Sequence, residues 1–394
     1  MPTAPFTGCR YGSWPATGKN EIYLTTVRPS YNSLSLMKPI LHILVACLLA
    51  ILLPTVSSGS APEADRFEPA LFIPAIIAGA ASDLPAHWRE GLNEGINLGI
   101  ARDYPGDHGI QSHPSVLDAE DFETGSVTLV TEENRYRDHT LVVSHNPFSG
   151  QYCGAHQWAE GYNGPTTRYP IPDRAHKGPR PTYFIRLYFK FDSSFRPPDG
   201  ASGVGVKGFG VVSDPFNQAS VNTPCDGSNW YNAQVQFVGW GPSAKPQAND
   251  GYLWVGHLYS YNGYPGQAQA ALGRILVTPP AVGNRPYRFS SYADPFTYLD
   301  FGGWHCYEVG LYLNTPGKHN GEARFWIDGI LQSRVTHIRY RDIKNLLPTD
   351  MHLNLHRVTD QFPQTMIRWT DNIVLATRYI GPMKPVIHVI KPAF

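Results

Sequence analysis

The run from Gly302 to Gly329, GGWHCYEVGLYLNTPGKHNGEARFWIDG, limits the fold more than any other stretch of the 394-residue chain. Trp304 to Leu313 is dense in aromatic and apolar residues, which is a strand signal. Asn314-Thr315-Pro316-Gly317 and His319-Asn320-Gly321 follow, and such clustering of Asn, Pro and Gly is turn chemistry. Glu322 to Ile327 alternates, with Ala323, Phe325 and Ile327 on one face and Glu322, Arg324 and Trp326 on the other. Asp328-Gly329 supplies a hairpin turn into a further strand from Ile330 to Val335. Long antiparallel strands joined in this way build a sandwich, not a βαβ domain.

Further strand patterns run over Val127–Thr131, Thr140–His145, Tyr183–Asp192, Asn229–Trp240, Tyr252–Tyr261 and Met351–His356. In Tyr183–Asp192, Ile185, Leu187, Phe189 and Phe191 face one way and Arg186, Tyr188 and Lys190 the other. The polar side is expected to line the concave face of the sandwich. Asn232, Gln234 and Gln236 share one face of their strand, His257, Tyr259 and Tyr261 one face of theirs, and His352, Asn354 and His356 one side of another. Pro147–Pro181 and Pro265–Asp300 are rich in Pro and Tyr and read as long loops, the second lying over the groove. The first reads equally as a groove wall or as a surface flap pinned by a disulfide.

A net charge of zero and a charged fraction of 16% exclude a nucleic-acid partner held by a basic field. The 37 Gly, 35 Pro and 22 Tyr suit a turn-rich all-β protein. Met37 to Ala61, MKPILHILVACLLAILLPTVSSGSA, has a Lys after a Met, an apolar run and then small residues, the pattern of a secretory signal peptide. The apolar run is short for a membrane span, with an uncleaved anchor as the alternative. Residues 1–36 have no role in such a signal and read as a non-native extension from an upstream start. Residues 62–115 read as a linker or arm with a short helix over Ala86–Ile100, weakened by Gly91, Gly95 and Gly99. The sandwich is expected over 116–381, with a tail over 382–394. The mature protein is thus expected to be secreted or periplasmic, monomeric and without a membrane span.

Cys153, Cys225 and Cys306 follow the signal segment, and an odd count leaves one thiol over. Cys153 with Cys225 is the preferred disulfide, since both lie in loop-like sequence; Cys306 sits in a strand pattern and reads as a buried thiol. No C-x-x-C pair is present, so no metal site is assigned. Asp118, Glu120, Asp121 and Glu123 read either as a solvated acidic turn or as ligands of a structural calcium ion.

The segment WHCYEVGLYLNTPGKHNGEARFWIDG resembles the penultimate part of jelly-roll polysaccharide lyases of the alginate and glucuronan type and of their concanavalin-like relatives. Trp369-Thr370-Asp371-Asn372-Ile373-Val374-Leu375 resembles their closing strand, and the resemblance covers roughly 116–381. It implies an all-β, concanavalin-like jelly-roll β-sandwich of two antiparallel sheets with long loops. It also implies that Gly205-Val206-Lys207-Gly208-Phe209-Gly210 carries a substrate-facing Lys, though Gly-Phe stands where Leu-Pro is usual. The strands of Gln234 and Tyr259 are implied to be neighbours on the concave sheet. Tyr259 and Tyr261 match the family's Tyr-x-Tyr pair, while Gln replaces an expected Arg. Leu355-His356-Arg357-Val358-Thr359-Asp360 departs from the usual Phe-Gly-Gly segment.

A lyase of this kind neutralises a uronate carboxylate, removes the proton at C5 and expels the oxygen at C4. Lys207, Gln234 and Gln236 are the candidates for holding the carboxylate. His257 is the candidate base, because imidazole titrates near working pH. Tyr259 is the candidate acid, or performs both steps if cations lower its pKa. Arg186, Tyr188, Tyr261, His352 and His356 are candidate substrate contacts. No strand carries two alternating carboxylates, which disfavours paired-carboxylate hydrolysis. Trp304 and Trp326 read as packing residues, and Asp371 and Asn372 as groups that fix a turn. The expected partner is an acidic polysaccharide. A non-catalytic carbohydrate-binding module of the same fold is the first rival, and an adhesion domain without a polar groove the second.

Overall fold

The structure is a computed structural model that describes residues 96–129, 140–158, 166–192, 195, 204–216, 223–240, 253–261, 267–278, 288–294, 298–299, 302–354 and 365–384. The strands, in chain order, are β1 (Val116–Glu120), β2 (Thr140–Val143), β3 (Cys153–Trp158), β4 (Thr166–Pro170), β5 (Thr182–Phe191), β6 (Val204–Ser213), β7 (Tyr231–Trp240), β8 (Leu253–Tyr261), β9 (Gln269–Leu272), β10 (Arg274–Thr278), β11 (Arg288–Tyr292), β12 (Tyr298–Leu299), β13 (Trp304–Tyr312), β14 (Gly321–Ile327), β15 (Ile330–Ile338), β16 (Asp350–Asn354) and β17 (Met366–Ala376). Helix among the described residues is limited to short 3-10 turns such as Ile100–Asp103. None is long and apolar enough to cross a membrane.

Two antiparallel sheets form an all-β jelly-roll sandwich. The first runs β2-β3-β17-β5-β13-β14-β15-β9, with β1 also on β17; the second runs β10-β11-β8-β7-β6-β16-β4, with β12 also on β8. The alternation of β5 sends Ile185, Leu187 and Phe189 into the space between the sheets. They meet Tyr307 and Val309 of β13, Phe209 and Val211 of β6, Val235 and Phe237 of β7, and Leu258 of β8 in one core. Phe189 packs edge-on to Phe209 at 5.6 Å, and Phe237 edge-on to Tyr307 at 5.3 Å, so aromatic contacts tie one sheet to the other. Gly273 alone separates β9, at the edge of the first sheet, from β10, at the edge of the second. Its φ of +81° and its contact with the Tyr292 carbonyl leave no room for a side chain at this crossing.

The hairpin from Trp304 onward forms as expected: β13, β14 and β15 are consecutive neighbours, and Asp328-Gly329 makes the β14–β15 turn. Several expectations change. Val127–Leu129 is loop. Both presumed long loops contain strands: β3 and β4 lie in 147–181, and β9 to β12 in 265–300. These strands are short, and their Pro and Gly neighbours mask the alternation. Cys153 and Cys225 are buried and not joined to each other, so the expected Cys153–Cys225 disulfide is absent, and Cys306 is buried in its strand as expected. Residues 1–95, with the signal segment and most of the presumed helix, lie outside the described residues. Residues 96–110 are not a loose arm where described: Ile100 and Ala101 donate backbone N–H groups to Tyr379 and Ile380 carbonyls. Ile100 and Ile110 pack with Phe184 and Trp326.

Candidate active site

The second sheet builds the site through its alternation. Val206, Phe209, Ala233, Val235, Phe237, Leu258, Met351 and Leu353 enter the core. Their strand neighbours Lys207, Gln234, Gln236, His257, Tyr259, Tyr261 and His352 therefore project from the opposite face. The register aligns them in rows. Lys207 pairs with Gln236 and Gln236 with His257. In the next row Arg168 pairs with His352, His352 with Gly210, Gly210 with Gln234, and Gln234 with Tyr259. Asn232, Tyr261 and Arg288 form a third row. Strand spacing and rise place Lys207, Gln236, His257, Gln234 and Tyr259 over a patch of about 10 by 7 Å.

A bulge between Lys207 and Gly210 allows this arrangement. At Gly210 a Cβ would land on the Ala233 carbonyl oxygen and the Gln234 backbone, so only glycine permits the close approach of β6 to β7.

The polar groups are buried and short of partners. Gln234 is 1% exposed, and among the described residues neither its Oε1 nor its Nε2 has a hydrogen-bond partner. His257 is 2% exposed and His352 5% exposed, and among the described residues His257 Nδ1 and His352 Nε2 have no hydrogen-bond partner. Burial pushes the His257 imidazolium down to about 3. Burial, with the positive charges of Arg168 and Lys207, pushes His352 to about 3 as well. The expectation that His257 titrates near working pH is therefore corrected: its ring is neutral there because charging it would strand a cation without water. Burial also lowers the pKa of Lys207. Among the described residues no carboxylate lies within ion-pair distance of its ammonium. Arg168 differs, since Asp214 and Asp350 flank it at 3.8 and 3.7 Å.

His257 stacks on Tyr292, with ring centroids 4.5 Å apart. Tyr259 Oη donates to Tyr261 Oη at 2.9 Å and accepts from Arg288 Nη1 at 3.2 Å. Burial raises the Tyr259 pKa, the Tyr261 hydroxyl raises it further, and Arg288 offsets only part of the rise. Tyr259 therefore rests as a neutral phenol, suited to giving a proton rather than taking one.

Arg186 and Tyr188 do not reach this face, which corrects their expected role. Their strand, β5, pairs with β13 and β17 in the first sheet, so its polar side points away from the second. Arg186 is buried in an ion pair with Asp107, and its Nη1 donates to the Asn372 carbonyl at 3.0 Å. Tyr188 stacks on Phe148 at 3.9 Å and accepts the Met383 N–H at 2.6 Å. Alternation shows which residues share a face but not which sheet the strand joins. His356 lies outside the described residues. Sequence reasoning missed Arg288 and Tyr292; the pattern Arg288-Phe289-Ser290-Ser291-Tyr292 was present, with Phe289 as its core residue, inside a segment taken for loop.

The acidic run does not fit a calcium ion. Glu120 accepts N–H groups of Phe122 and Leu129 at 2.8 and 3.0 Å, and Glu123 accepts those of Gln151 and Tyr152. Asp118 turns to the Ala119 amide and Asp121 to that of Glu123. Carboxylates committed to separate backbone amides do not converge on one cation. Among the described residues no three His, Cys, Asp or Glu side chains are grouped to hold a metal. Asp371 takes the Phe148 and Ser149 amides at 2.9 and 3.2 Å, which fixes a loop as expected.

The sequence matches no protein-family model, and it matches no curated protein. Among solved structures it is similar to an alginate lyase from Aplysia kurodai at 12% identity and a TM-score of 0.46, covering 67% of this chain and 100% of that one. An alginate lyase from a Chlorella virus is similar at 14% identity and a TM-score of 0.46, with the same coverage. The endo-β-1,4-glucuronan lyase of the fungus Trichoderma reesei is similar at 13% identity and a TM-score of 0.39, covering 68% of this chain and 100% of that one.

Proposed function

We propose that this chain binds a uronate-containing polysaccharide across the polar face of the second sheet and cleaves it by β-elimination. The observation that carries the reading is the set of buried polar atoms that have no partner among the described residues: both amide atoms of Gln234, His257 Nδ1 and His352 Nε2. Leaving such atoms unsatisfied costs about 1–3 kcal/mol each, and a polar ligand would remove that cost. Beside them Lys207 is an ammonium without a counter-ion among the described residues. An ammonium and two amides suit a carboxylate whose charge grows toward an enolate as the C5 proton leaves. The neutral His257 ring accepts that proton, and the tyrosine pair supplies one to the departing oxygen.

A non-catalytic carbohydrate-binding module is the second reading. The observation in its favour is the depressed pKa of His257, which makes the ring a weak base. A screen for the ultraviolet absorbance of the new C4–C5 double bond, with alginate, glucuronan, pectate, heparin and chondroitin, separates the two. Product formation that is lost in Lys207→Ala and His257→Ala supports elimination. Binding without product, unchanged by His257→Ala, supports the module.

A further inference from the structure

Arg288 stands opposite Tyr261 on the neighbouring strand. Its Nη1 donates to Tyr259 Oη at 3.2 Å, and its guanidinium lies 6.0 Å from the Tyr259 ring centroid. Tyr259 in turn donates to Tyr261 at 2.9 Å. The Tyr259 proton is thus committed to Tyr261, and one of its lone pairs to the guanidinium, which also interacts with the Tyr261 oxygen. The Tyr261 proton is the free end of the chain, since among the described residues its hydroxyl donates to no acceptor. Hydrogen bonds running in one direction polarise one another, so a cation at the head strengthens the donor at the tail. Trp230 against Tyr261 at 5.4 Å, and the Asn232 Oδ1 that accepts the Tyr261 backbone N–H at 2.9 Å, hold that tail in place.

We infer that Arg288 is a positioning residue for the acid step: it holds Tyr259 and Tyr261 as a two-phenol relay whose outer hydroxyl, on Tyr261, protonates the leaving oxygen. The inference rests on the elimination proposed above and changes which tyrosine meets the substrate. As the C4–O bond breaks, its electron pair goes to the oxygen, which takes the Tyr261 proton. Tyr261 takes the Tyr259 proton, and the phenolate left on Tyr259 faces the Arg288 guanidinium. The C5 proton is on His257 by then, the C5 electron pair has become the C4–C5 double bond, and water returns the proton from imidazolium to phenolate. No oxidant, reductant or metal enters the balance. Lys207 does not replace Arg288, because β7 separates its strand from that of Tyr259.

The test uses the full chain and whichever polysaccharide of the panel yields unsaturated product. Arg288→Ala should lower kcat about 100-fold with KM within about 3-fold, the scale of a weakened proton donor. Arg288→Lys, or guanidinium ion added to Arg288→Ala, should restore part of the loss. Tyr261→Phe should cost as much as Tyr259→Phe, and the double variant little more, as for residues acting as one unit. Should Arg288→Ala fold poorly, the Lys and Phe variants decide. Unchanged kcat in the Arg288 variants, additive tyrosine losses, or a loss confined to KM would overturn the relay and leave the lyase reading intact. Absence of product from the wild-type chain on the whole panel would overturn the lyase reading, and the relay with it.

Discussion

His257 lies nearly flat on Tyr292, the ring planes 22° apart and the centroids separated by 4.5 Å. This contact helps seal the imidazole from water, and the loss of water is what pushes its pKa down to about 3 from an ordinary 6.5. Between those values the unfolded chain binds a proton that the native state refuses. The contribution to stability is therefore complete above pH 6.5 and is lost as the pH falls toward 3. One proton is worth about 1.4 kcal/mol per pH unit. His257→Gln should flatten the acid limb of a stability–pH curve by about that slope, measured by urea unfolding between pH 6 and 4 (about two units inside the window). Parallel curves for variant and wild type would mean that the ring titrates as if in water.

Gly210 occupies the position between His352 and Gln234 in the second row, and β6 meets β7 there closely enough to exclude a Cβ. Gly210→Ala must push the Ala233 carbonyl aside, since the obstruction is backbone and not the tip of a flexible side chain. The expected loss is about 1–3 kcal/mol, read from denaturant midpoints. Polysaccharide affinity should fall as well, because Gln234 moves with the strand. A variant as stable as wild type and equally able to bind would show that β6 and β7 leave room for a Cβ at this position.

Arg186 and Asp107 give a prediction of the opposite kind. Arg186 is fully buried and Asp107 nearly so, on the side of the first sheet away from the core. Asp107 also has a φ of +58°, which Asn tolerates well. Asp107→Asn therefore removes the charge without adding backbone strain and leaves the buried guanidinium without its ion-pair partner. A loss of about 3–5 kcal/mol is expected in urea unfolding. Polysaccharide binding by the folded variant should be unchanged. A weakened affinity would return Arg186 to the list of substrate contacts.

The fold and the site differed in how much of each was legible. Strands with clean alternation, such as Tyr183–Phe191 and Tyr231–Trp240, were readable because burial of one face forces a period of two. The same periodicity placed Gln234 beside Gln236 and His257 beside Tyr259 on single faces. It did not say that β5 belongs to the other sheet, since pairing partners come from residues more than a hundred positions away. That single unknown turned Arg186 and Tyr188 from groove residues into buried supports. Arg288 was hidden for another reason: β11 has five residues among Pro and Gly, too few periods to stand out. The His257 pKa was not legible either, because it depends on what covers the ring and not on the ring's neighbours in sequence.

Glu308 sits on β13, and its Oε1 and Oε2 accept the Ile380 and Gly381 amides, both at 2.8 Å. Burial raises its pKa to about 7, although those two amides and Arg186 pull the other way. Below about pH 4.5, the ordinary value, native and unfolded chains are both protonated at this group and its contribution is whole. As the pH rises from there through 7, the unfolded chain releases the proton first, and stability falls by up to about 1.4 kcal/mol per unit. Glu308→Gln cannot titrate. It carries instead a constant penalty, since an amide offers one carbonyl oxygen to two N–H donors. The variant should therefore be the less stable protein at the acid end, and its disadvantage should shrink by up to about 3.5 kcal/mol by pH 7, enough to reverse a penalty of about 1–3 kcal/mol, and then stay level. His257 and His352 titrate in both proteins and cancel in the difference. Urea unfolding of the two proteins at four pH values across the window reads the gap directly. A gap that does not change with pH would mean that the carboxyl ionises at its ordinary value, with the Ile380–Gly381 amides outweighing the burial.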